Sequence, residues 1–294
     1  MPANPVLPLR ARVSGFVALT KPRIIELLLV TTVPTMFVAR QGVPSVWLMV
    51  ATVLGGTLAA GGANAVNMVV DRDIDSLMER TRERPLVTGV MTPRAALVFA
   101  VTLEVAAFAW FLATVNLLSA VLAVSATFFY VFVYTLWLKR TSTQNIVIGG
   151  AAGAVPVLVG WSAVTNSLAW APVVLFLVMF FWTPPHFWAL AIKYRDDYAA
   201  AGVPMLPAVA SLEETASRII LYTVILVALS VVFAPVAGMG LLYLVSALVL
   251  GAVFGAFALA VRRDPGERTA MRLFTYSITY ITLLFGAITL DVVV

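Results

Sequence analysis

Three oxygen-bearing side chains lie four residues apart near the end of a long apolar segment. They are Asn67, Asp71 and Asp75, and on an α-helix this spacing places them on one face, one turn apart. We call this set the oxygen ladder. Acids at a helix C-terminus oppose the helix dipole, and like charges one turn apart repel, so a positive partner is expected. Hard divalent cations such as Mg²⁺ take oxygen ligands and share them with substrate phosphates. The ladder predicts a metal and diphosphate site, against the alternative of an ordinary helix end entering water.

A second polar cluster follows a later apolar segment. It contains Asp196 and Asp197 between Tyr194 and Tyr198, with Lys193 in front of them. Four apolar segments separate the two clusters, so a parallel duplication of four-helix units would bring them together across a central cavity. Two such clusters, ringed by Arg and Lys above an apolar chamber, suit a lipid-like diphosphate whose developing negative charge they would stabilise.

The composition indicates an integral membrane protein. The 294 residues are 62% hydrophobic and 11% charged, against about 25% charged in soluble proteins. Apolar runs of the length that crosses a bilayer as a helix occur nine times. They lie at 24–40, 46–70, 95–115, 117–138, 145–164, 169–192, 217–237, 239–261 and 272–293. We therefore predict an all-α polytopic membrane protein with nine transmembrane helices around a central cavity. The absence of cysteine from the sequence excludes disulfides and thiolate metal sites.

The basic residues predict the orientation of these spans. Of the 19 Lys and Arg residues, all but Arg40 fall on one side of the nine spans when the N-terminus is inside. The positive-inside rule then places the N-terminus in the cytoplasm and the C-terminus on the opposite side. Because topology already explains the net charge of +5, the charge gives no support to a nucleic-acid partner.

Two polar residues inside the spans have open roles. Glu104 lies deep in the third span, where an acid is either functional or neutralised by protonation or a hydrogen bond to a neighbouring helix. The single histidine, His186, follows Pro184 and Pro185, which are expected to kink the sixth span and free backbone carbonyls. His186 is either a packing residue or a substrate contact.

Together these residues resemble the UbiA-type intramembrane prenyltransferase superfamily, whose first signature is Asn-x₃-Asp-x₃-Asp after the second span. The heme-modifying branch of the superfamily is the most similar. The motifs that carry this likeness are Thr20-Lys21-Pro22-Arg23, Asp71 to Asp75, Arg80 to Leu86, Pro184 to Trp188 and Lys193 to Pro207. Many members have Asp-x₃-Asp after the sixth span, whereas this chain has Tyr194 and Tyr198 at those two places.

The resemblance implies a UbiA-type fold in a single domain over residues 1–294, and Mg²⁺-dependent transfer of farnesyl from farnesyl diphosphate to a vinyl group of heme b. It implies that Asn67, Asp71, Asp75 and Asp196 bind Mg²⁺ and, with Asp197, form the catalytic set. The substrate-binding residues that it implies are Arg84, Lys139, Arg140, His186, Lys193, Tyr194 and Tyr198. It also implies a place in the cell inner membrane and a downstream heme A synthase or terminal oxidase that uses the heme O product.

Two other functions are alternatives. A transporter could line a pathway with Glu104 and a broken sixth span, but the acids cluster at one face of the membrane instead of through it. Within the superfamily, a quinone-precursor aromatic acceptor is the nearest alternative to heme.

Overall fold

We describe a computed structural model that covers residues 9–294, and the side chains of that range other than those of Leu9 and residues 23–29. Arg23, which belongs to the first basic motif, lies outside the described side chains. Every regular element in the described range is helical. The elements are α1 (Leu9–Thr20), α2 (Pro22–Arg40), α3 (Val46–Val70), α4 (Arg72–Asp75), α5 (Pro93–Thr114), α6 (Leu117–Phe128), a π-helix (Phe129–Leu138), α7 (Lys139–Thr141), α8 (Asn145–Thr165), α9 (Trp170–Lys193), α10 (Arg195–Ala200), α11 (Leu206–Val209), α12 (Leu212–Ala237), α13 (Leu241–Arg263) and α14 (Glu267–Val293).

The membrane-crossing helices agree with the prediction. Within the described residues, eight helical stretches are long and apolar enough to cross a membrane, and they coincide with eight of the nine predicted spans. The remaining predicted span, 24–40, coincides with α2, some of whose side chains lie outside the described residues. The chain is therefore an all-helical, multi-pass membrane protein.

Two helices begin before the apolar runs that the sequence indicates as spans. The α12 helix begins at Leu212 instead of 217, because the Ser211 hydroxyl accepts a hydrogen bond from the Glu214 amide at 3.1 Å and caps the helix. The α14 helix begins at Glu267 instead of 272. Both extensions carry acids in their first turn, where the helix dipole favours them. Hydropathy alone does not detect such polar first turns.

The double proline does not interrupt the sixth predicted span. The α9 helix runs without a break from Trp170 to Lys193 and contains both Pro184 and Pro185. The broken span that the transporter alternative required is therefore absent from this helix.

Small residues let α3 approach its neighbours closely. Its main partner is α5. A Cβ atom built on Gly62 would lie 2.6 Å from Oε1 of Glu104, so only glycine leaves room for that carboxylate. The same Oε1 accepts a hydrogen bond from the Thr127 hydroxyl of α6 at 3.1 Å. The hydrogen bond to a neighbouring helix that the sequence analysis considers for Glu104 is therefore present, while its Oε2 atom is buried without a hydrogen-bond partner among the described residues.

Gly149 on α8 packs against the aromatic ring of Tyr134, and a Cβ atom there would overlap the ring. We expect Gly149→Ala to lower the free energy of unfolding by about 1–3 kcal/mol, the usual cost of overpacking. Gly153 is a control on the same helix, because a Cβ atom there meets open space. Thermal unfolding in detergent would compare the two variants, and equal stability of both would contradict the packing argument.

Both polar clusters lie at one end of the helix bundle, which we call the polar end. Arg80, in the loop after α4, donates a hydrogen bond to the Tyr198 hydroxyl of α10 at 3.4 Å. Lys193 at the end of α9 pairs with Glu267 at the start of α14 at 2.9 Å. Since α14 has 27 residues, it carries the C-terminus about 40 Å away, at 1.5 Å per residue. The loops 72–94 and 193–218 thus share an end, and the C-terminus lies at the other.

Candidate active site

The oxygen ladder keeps a helical register through the end of α3. The Asp71 amide donates to the Asn67 carbonyl at 2.9 Å, and the Asp75 amide donates to the Asp71 carbonyl at 2.8 Å. The three side chains therefore lie on one face, as their spacing predicts. All are buried, with exposed fractions of 3% for Asn67, 0% for Asp71 and 2% for Asp75. Buried carboxylates need compensating charge.

Each member of the ladder contacts a cation from a different part of the chain. Lys21, between α1 and α2, donates to Oδ1 of Asn67 at 2.7 Å. Lys139, the first residue of α7, pairs with Oδ2 of Asp71. Arg84 pairs with Oδ2 of Asp75 at 2.5 Å. The ladder thus sits inside a ring of positive charge.

The surroundings of Lys21 lower the pKa of its side chain. Desolvation lowers the pKa of the Lys21 ammonium to about 7, and the positive charges of Arg84 and Lys139 act in the same direction. The carboxylates of Asp71 and Asp75 oppose this shift. The polar end is therefore rich in cations that repel one another, which suits an anionic ligand.

The ladder also fits a divalent cation. Oδ1 of Asp71 is buried and has no hydrogen-bond partner among the described residues. Nη2 of Arg140 lies 3.9 Å from it, beyond hydrogen-bonding distance. An amide oxygen and two carboxylates are hard oxygen donors of the kind that Mg²⁺ takes. A bound cation would satisfy this unpaired oxygen. Asp71 is fully buried and, unlike Asn67 and Asp75, does not line the cavity described below.

A cavity of about 330 Å³ extends from the ladder into the bundle. Its deeper walls are mostly small and apolar residues of α3, α6 and α8, together with aromatic rings. The rings and charged groups that line it are Lys21, Asp75, Arg80, Arg84, Tyr130, Tyr134, Lys139, Trp182, Phe187 and Tyr198. A ligand with an anionic head and an apolar tail matches this separation of charge from hydrocarbon.

The second polar cluster is arranged differently from the prediction. The Asp196 side chain is 98% exposed and faces Arg195 at 3.5 Å, so this geometry gives it no contact with the ladder. Asp197 does not line the cavity, although its Oδ2 is buried without a hydrogen-bond partner among the described residues. Lys193 is paired with Glu267, outside the cavity. None of these three predicted residues lines the cavity, and no described hydrogen bond or ion pair connects them to the ladder.

The two tyrosines of this cluster hold Arg80. The Arg80 guanidinium lies 5.7 Å from the centre of the Tyr194 ring, a cation–π distance, and donates to the Tyr198 hydroxyl. Burial raises the pKa of Tyr198, which keeps its hydroxyl protonated. Tyr198 lines the cavity, as expected for a substrate contact. Tyr194 does not line the cavity and contacts Arg80 instead.

Arg140 also lies beside the site and not in it. Its guanidinium makes two 2.7 Å hydrogen bonds to Asp73 and a third, of 3.0 Å, to the Val70 carbonyl. The bonds from Arg140 lower the pKa of Asp73 to about 2. Asp73 is 63% exposed. Arg140 therefore fastens the end of α3 and faces solvent, while the neighbouring Lys139 faces the cavity.

His186 packs between helices. Its Nδ1 atom lies 2.7 Å from the Ser277 hydroxyl of α14, and its ring stacks against Trp182 and Phe274 at centroid distances of 4.3 and 4.6 Å. It does not line the cavity. Of its two predicted roles, the packing role is the one that the geometry supports.

Sequence reasoning missed several residues that line or support the site. Lys21 and Arg80 stand in the motifs quoted above, but their roles depend on folding that brings distant loops together. Tyr130 and Tyr134 stack with a centroid distance of 5.4 Å and line the cavity from the π-helix. The sequence offers one sign of this: the two tyrosines are four residues apart, and therefore on one helix face, in an apolar span that ends in charged residues.

The chain is similar to proteins of known family. The model of the UbiA prenyltransferase family matches residues 28–284. A protoheme IX farnesyltransferase from Streptomyces avermitilis is 56% identical over 290 residues, which cover 97% of this chain and 95% of that protein. A protein of the same name from Parafrankia sp. is 58% identical over 280 residues, covering 94% and 90%. The solved UbiA homologue from Archaeoglobus fulgidus, bound to DMAPP and Mg²⁺, aligns with a TM-score of 0.65 at 17% identity, over 94% of this chain and 99% of that chain.

Proposed function

The chain belongs to the UbiA prenyltransferase family, and from that premise we propose that it transfers the farnesyl group of farnesyl diphosphate to a vinyl group of heme b, making heme O. The main support for a prenyl diphosphate substrate is the buried oxygen ladder, which is surrounded by cations at the mouth of an apolar cavity. The choice of heme as acceptor rests on the relatives named protoheme IX farnesyltransferase, which are more than half identical to almost the whole chain.

The polar end would bind the diphosphate. Lys21, Arg80, Arg84 and Lys139 all line the cavity there and supply hydrogen-bond donors with positive charge. Asn67, Asp71 and Asp75 would hold Mg²⁺, which when bound supplies further positive charge against the leaving diphosphate. A protein of the same fold bound to Mg²⁺ and DMAPP supports this assignment. We leave Asp196 out of the metal set because its carboxylate is exposed to solvent.

The reaction needs positioning and charge stabilisation, and no protein nucleophile. The bond between C1 of farnesyl and the bridging oxygen breaks, and the diphosphate leaves with the electron pair. The vinyl group of heme supplies the electrons for the new carbon–carbon bond, and water adds to the resulting cation beside the porphyrin and releases a proton. The Arg and Lys side chains stabilise the diphosphate, while the rings of Tyr130 and Tyr134 shield the allylic cation from water.

The orientation in the membrane follows from the charge distribution. We place the polar end and the N-terminus on the cytoplasmic side of the cell inner membrane, because the Lys and Arg residues concentrate there. Residues 1–294 would form one domain, in which two four-helix units meet at the polar end. The heme O product would pass to a heme A synthase or a terminal oxidase.

The position of His186 leads to a prediction that separates packing from heme binding. We expect His186→Gln to lower the free energy of unfolding by about 1–3 kcal/mol, because it removes a buried ring that bonds to Ser277 and stacks on two aromatic rings. Heme affinity and the heme absorbance spectrum should stay unchanged. A weakened heme affinity with normal stability would instead make His186 a heme contact.

The proposed acceptor can be tested by competition. Purified protein would receive farnesyl diphosphate, Mg²⁺ and equal concentrations of heme b and a quinone precursor such as 4-hydroxybenzoate, and the prenylated products would be separated by chromatography. We expect farnesylated heme alone. Farnesylated aromatic acid would favour the quinone-precursor alternative. Farnesyl diphosphate that crosses the membrane of sealed vesicles unchanged would favour a transporter.

A further inference from the structure

The π-helix Phe129–Leu138 gives one threonine an unusual hydrogen bond. The Thr135 hydroxyl donates to the carbonyl of Tyr130, five residues earlier, at 2.8 Å. In the α-helices, most of the described threonine hydroxyls instead donate to the carbonyl four residues earlier, as Thr223 does to Ile219. Thr269, in the first turn of α14, is an exception that reaches back to Asp264. The wider π-helical turn therefore turns the Thr135 hydroxyl toward a different neighbour.

That neighbour is Asn67 of the oxygen ladder. Nδ2 of Asn67 donates a hydrogen bond to the Thr135 hydroxyl at 3.0 Å, and Thr135 is fully buried. A hydroxyl has one proton to donate. Because the proton of Thr135 is used by the Tyr130 carbonyl, the oxygen of Thr135 can only accept from Asn67.

The direction of the Asn67 amide is fixed by the chemistry of its partners. Nδ2 also donates to Oδ2 of Asp71 at 2.8 Å, and a carboxylate only accepts. Oδ1 accepts from Nζ of Lys21 at 2.7 Å on the other side of the amide. If the amide were flipped, its NH₂ group would face Lys21 and its oxygen would face two acceptors. The observed direction points the amide oxygen toward the cation-lined cavity.

We propose that Thr135 is a positioning residue that holds the oxygen of Asn67 ready to bind a divalent cation. This inference rests on the metal and diphosphate site proposed above. A divalent cation attracts the Asp71 carboxylate and competes with Lys21 for the amide oxygen of Asn67. Thr135 is neutral, and its hydrogen bond to the Tyr130 carbonyl lies within the π-helix. It is therefore the partner that keeps the amide direction when charge enters the site.

The test compares three variants by metal binding and not only by turnover. Mn²⁺ serves as a paramagnetic stand-in for Mg²⁺, titrated by electron paramagnetic resonance with farnesyl thiodiphosphate, a slowly reacting substrate analogue. Thr135→Val keeps the shape of the side chain and removes the acceptor, so we expect the Mn²⁺ affinity to fall by about tenfold or more, as for other residues that orient metal ligands. Thr135→Ser keeps the hydroxyl and should bind like the unchanged protein.

Thr223→Val is the matched control. It removes a buried threonine hydroxyl with the same kind of backbone bond, on α12 and away from the cavity, so Mn²⁺ affinity should not change. Normal Mn²⁺ affinity in Thr135→Val would overturn the inference. So would an equal loss in Thr135→Val and Thr135→Ser, or in Thr135→Val and Thr223→Val. If the unchanged protein bound no Mn²⁺ with the analogue present, the proposed metal site itself would fail.

Discussion

Asp71→Asn is expected to reduce farnesyl transfer by at least about 100-fold, more than the loss usual for residues that only orient a metal ligand. Asparagine has nearly the same shape as aspartate, so the helix end should keep its fold. Asparagine, however, lacks the negative charge that pairs with Lys139. It also lacks the second carboxylate oxygen; in Asp71 one of these oxygens has no hydrogen-bond partner within the described chain. Turnover at saturating Mg²⁺ and both substrates is the measurement.

Asp73→Asn is the control for that variant. Asp73 belongs to the same acidic run, but it is exposed and bonded to Arg140. Exposed ion pairs contribute about 1 kcal/mol or less, so activity should remain close to that of the unchanged protein. If Asp73→Asn lost as much activity as Asp71→Asn, the acidic run would act through its overall charge and the ladder assignment would be wrong.

Lys139→Met is expected to weaken the binding of farnesyl thiodiphosphate by roughly 10- to 100-fold, the value of one charge-assisted hydrogen bond. The methionine keeps much of the apolar stem of lysine while removing the charge that lines the cavity. Isothermal titration in detergent with Mg²⁺ present would give the affinity.

Arg140→Gln separates this effect from general loss of positive charge. The guanidinium of Arg140 binds Asp73 and the Val70 carbonyl outside the cavity, so its removal should lower stability slightly and leave the affinity for the analogue unchanged. Equal loss of affinity in both variants would mean that the two cations act as a diffuse positive patch. The sequence predicts a substrate contact for both residues, and the structure distinguishes them.

The oxygen ladder was predictable because its geometry is local. Spacing of four residues fixes a common face on any helix, and the cost of uncompensated acids at a helix end indicates nearby cations. Close packing at Gly62 and Gly149 was also predictable from local sequence, because small residues in a membrane span allow a neighbouring helix to approach closely.

The second cluster was not predictable because its geometry depends on how α10 docks. Tyr194, Asp196, Asp197 and Tyr198 are close in sequence, yet Tyr198 faces the cavity while Asp196 faces solvent. Adjacent residues on a short helix point in directions that only tertiary contacts decide. Arg80 supplies that contact here, from a loop more than one hundred residues earlier.

The π-helix was also invisible in the sequence. Residues 129–138 read as an ordinary apolar run, and neither hydropathy nor helix propensity separates hydrogen bonding to the fifth residue from bonding to the fourth. The hydrogen bond between Thr135 and Asn67 depends on the π-helical geometry of one helix and on its packing against the other, and neither can be deduced from the sequence.

The mass of the heme recovered after reaction tests the central claim most directly. The purified protein would be placed in lipid nanodiscs with heme b, farnesyl diphosphate and Mg²⁺, and the heme extracted for chromatography and mass spectrometry. We predict a more hydrophobic heme whose mass has increased by one farnesyl group and one hydroxyl group, with the hydroxyl oxygen taken from isotopically labelled water. Recovery of unmodified heme b, from protein that still binds both substrates, would contradict the account.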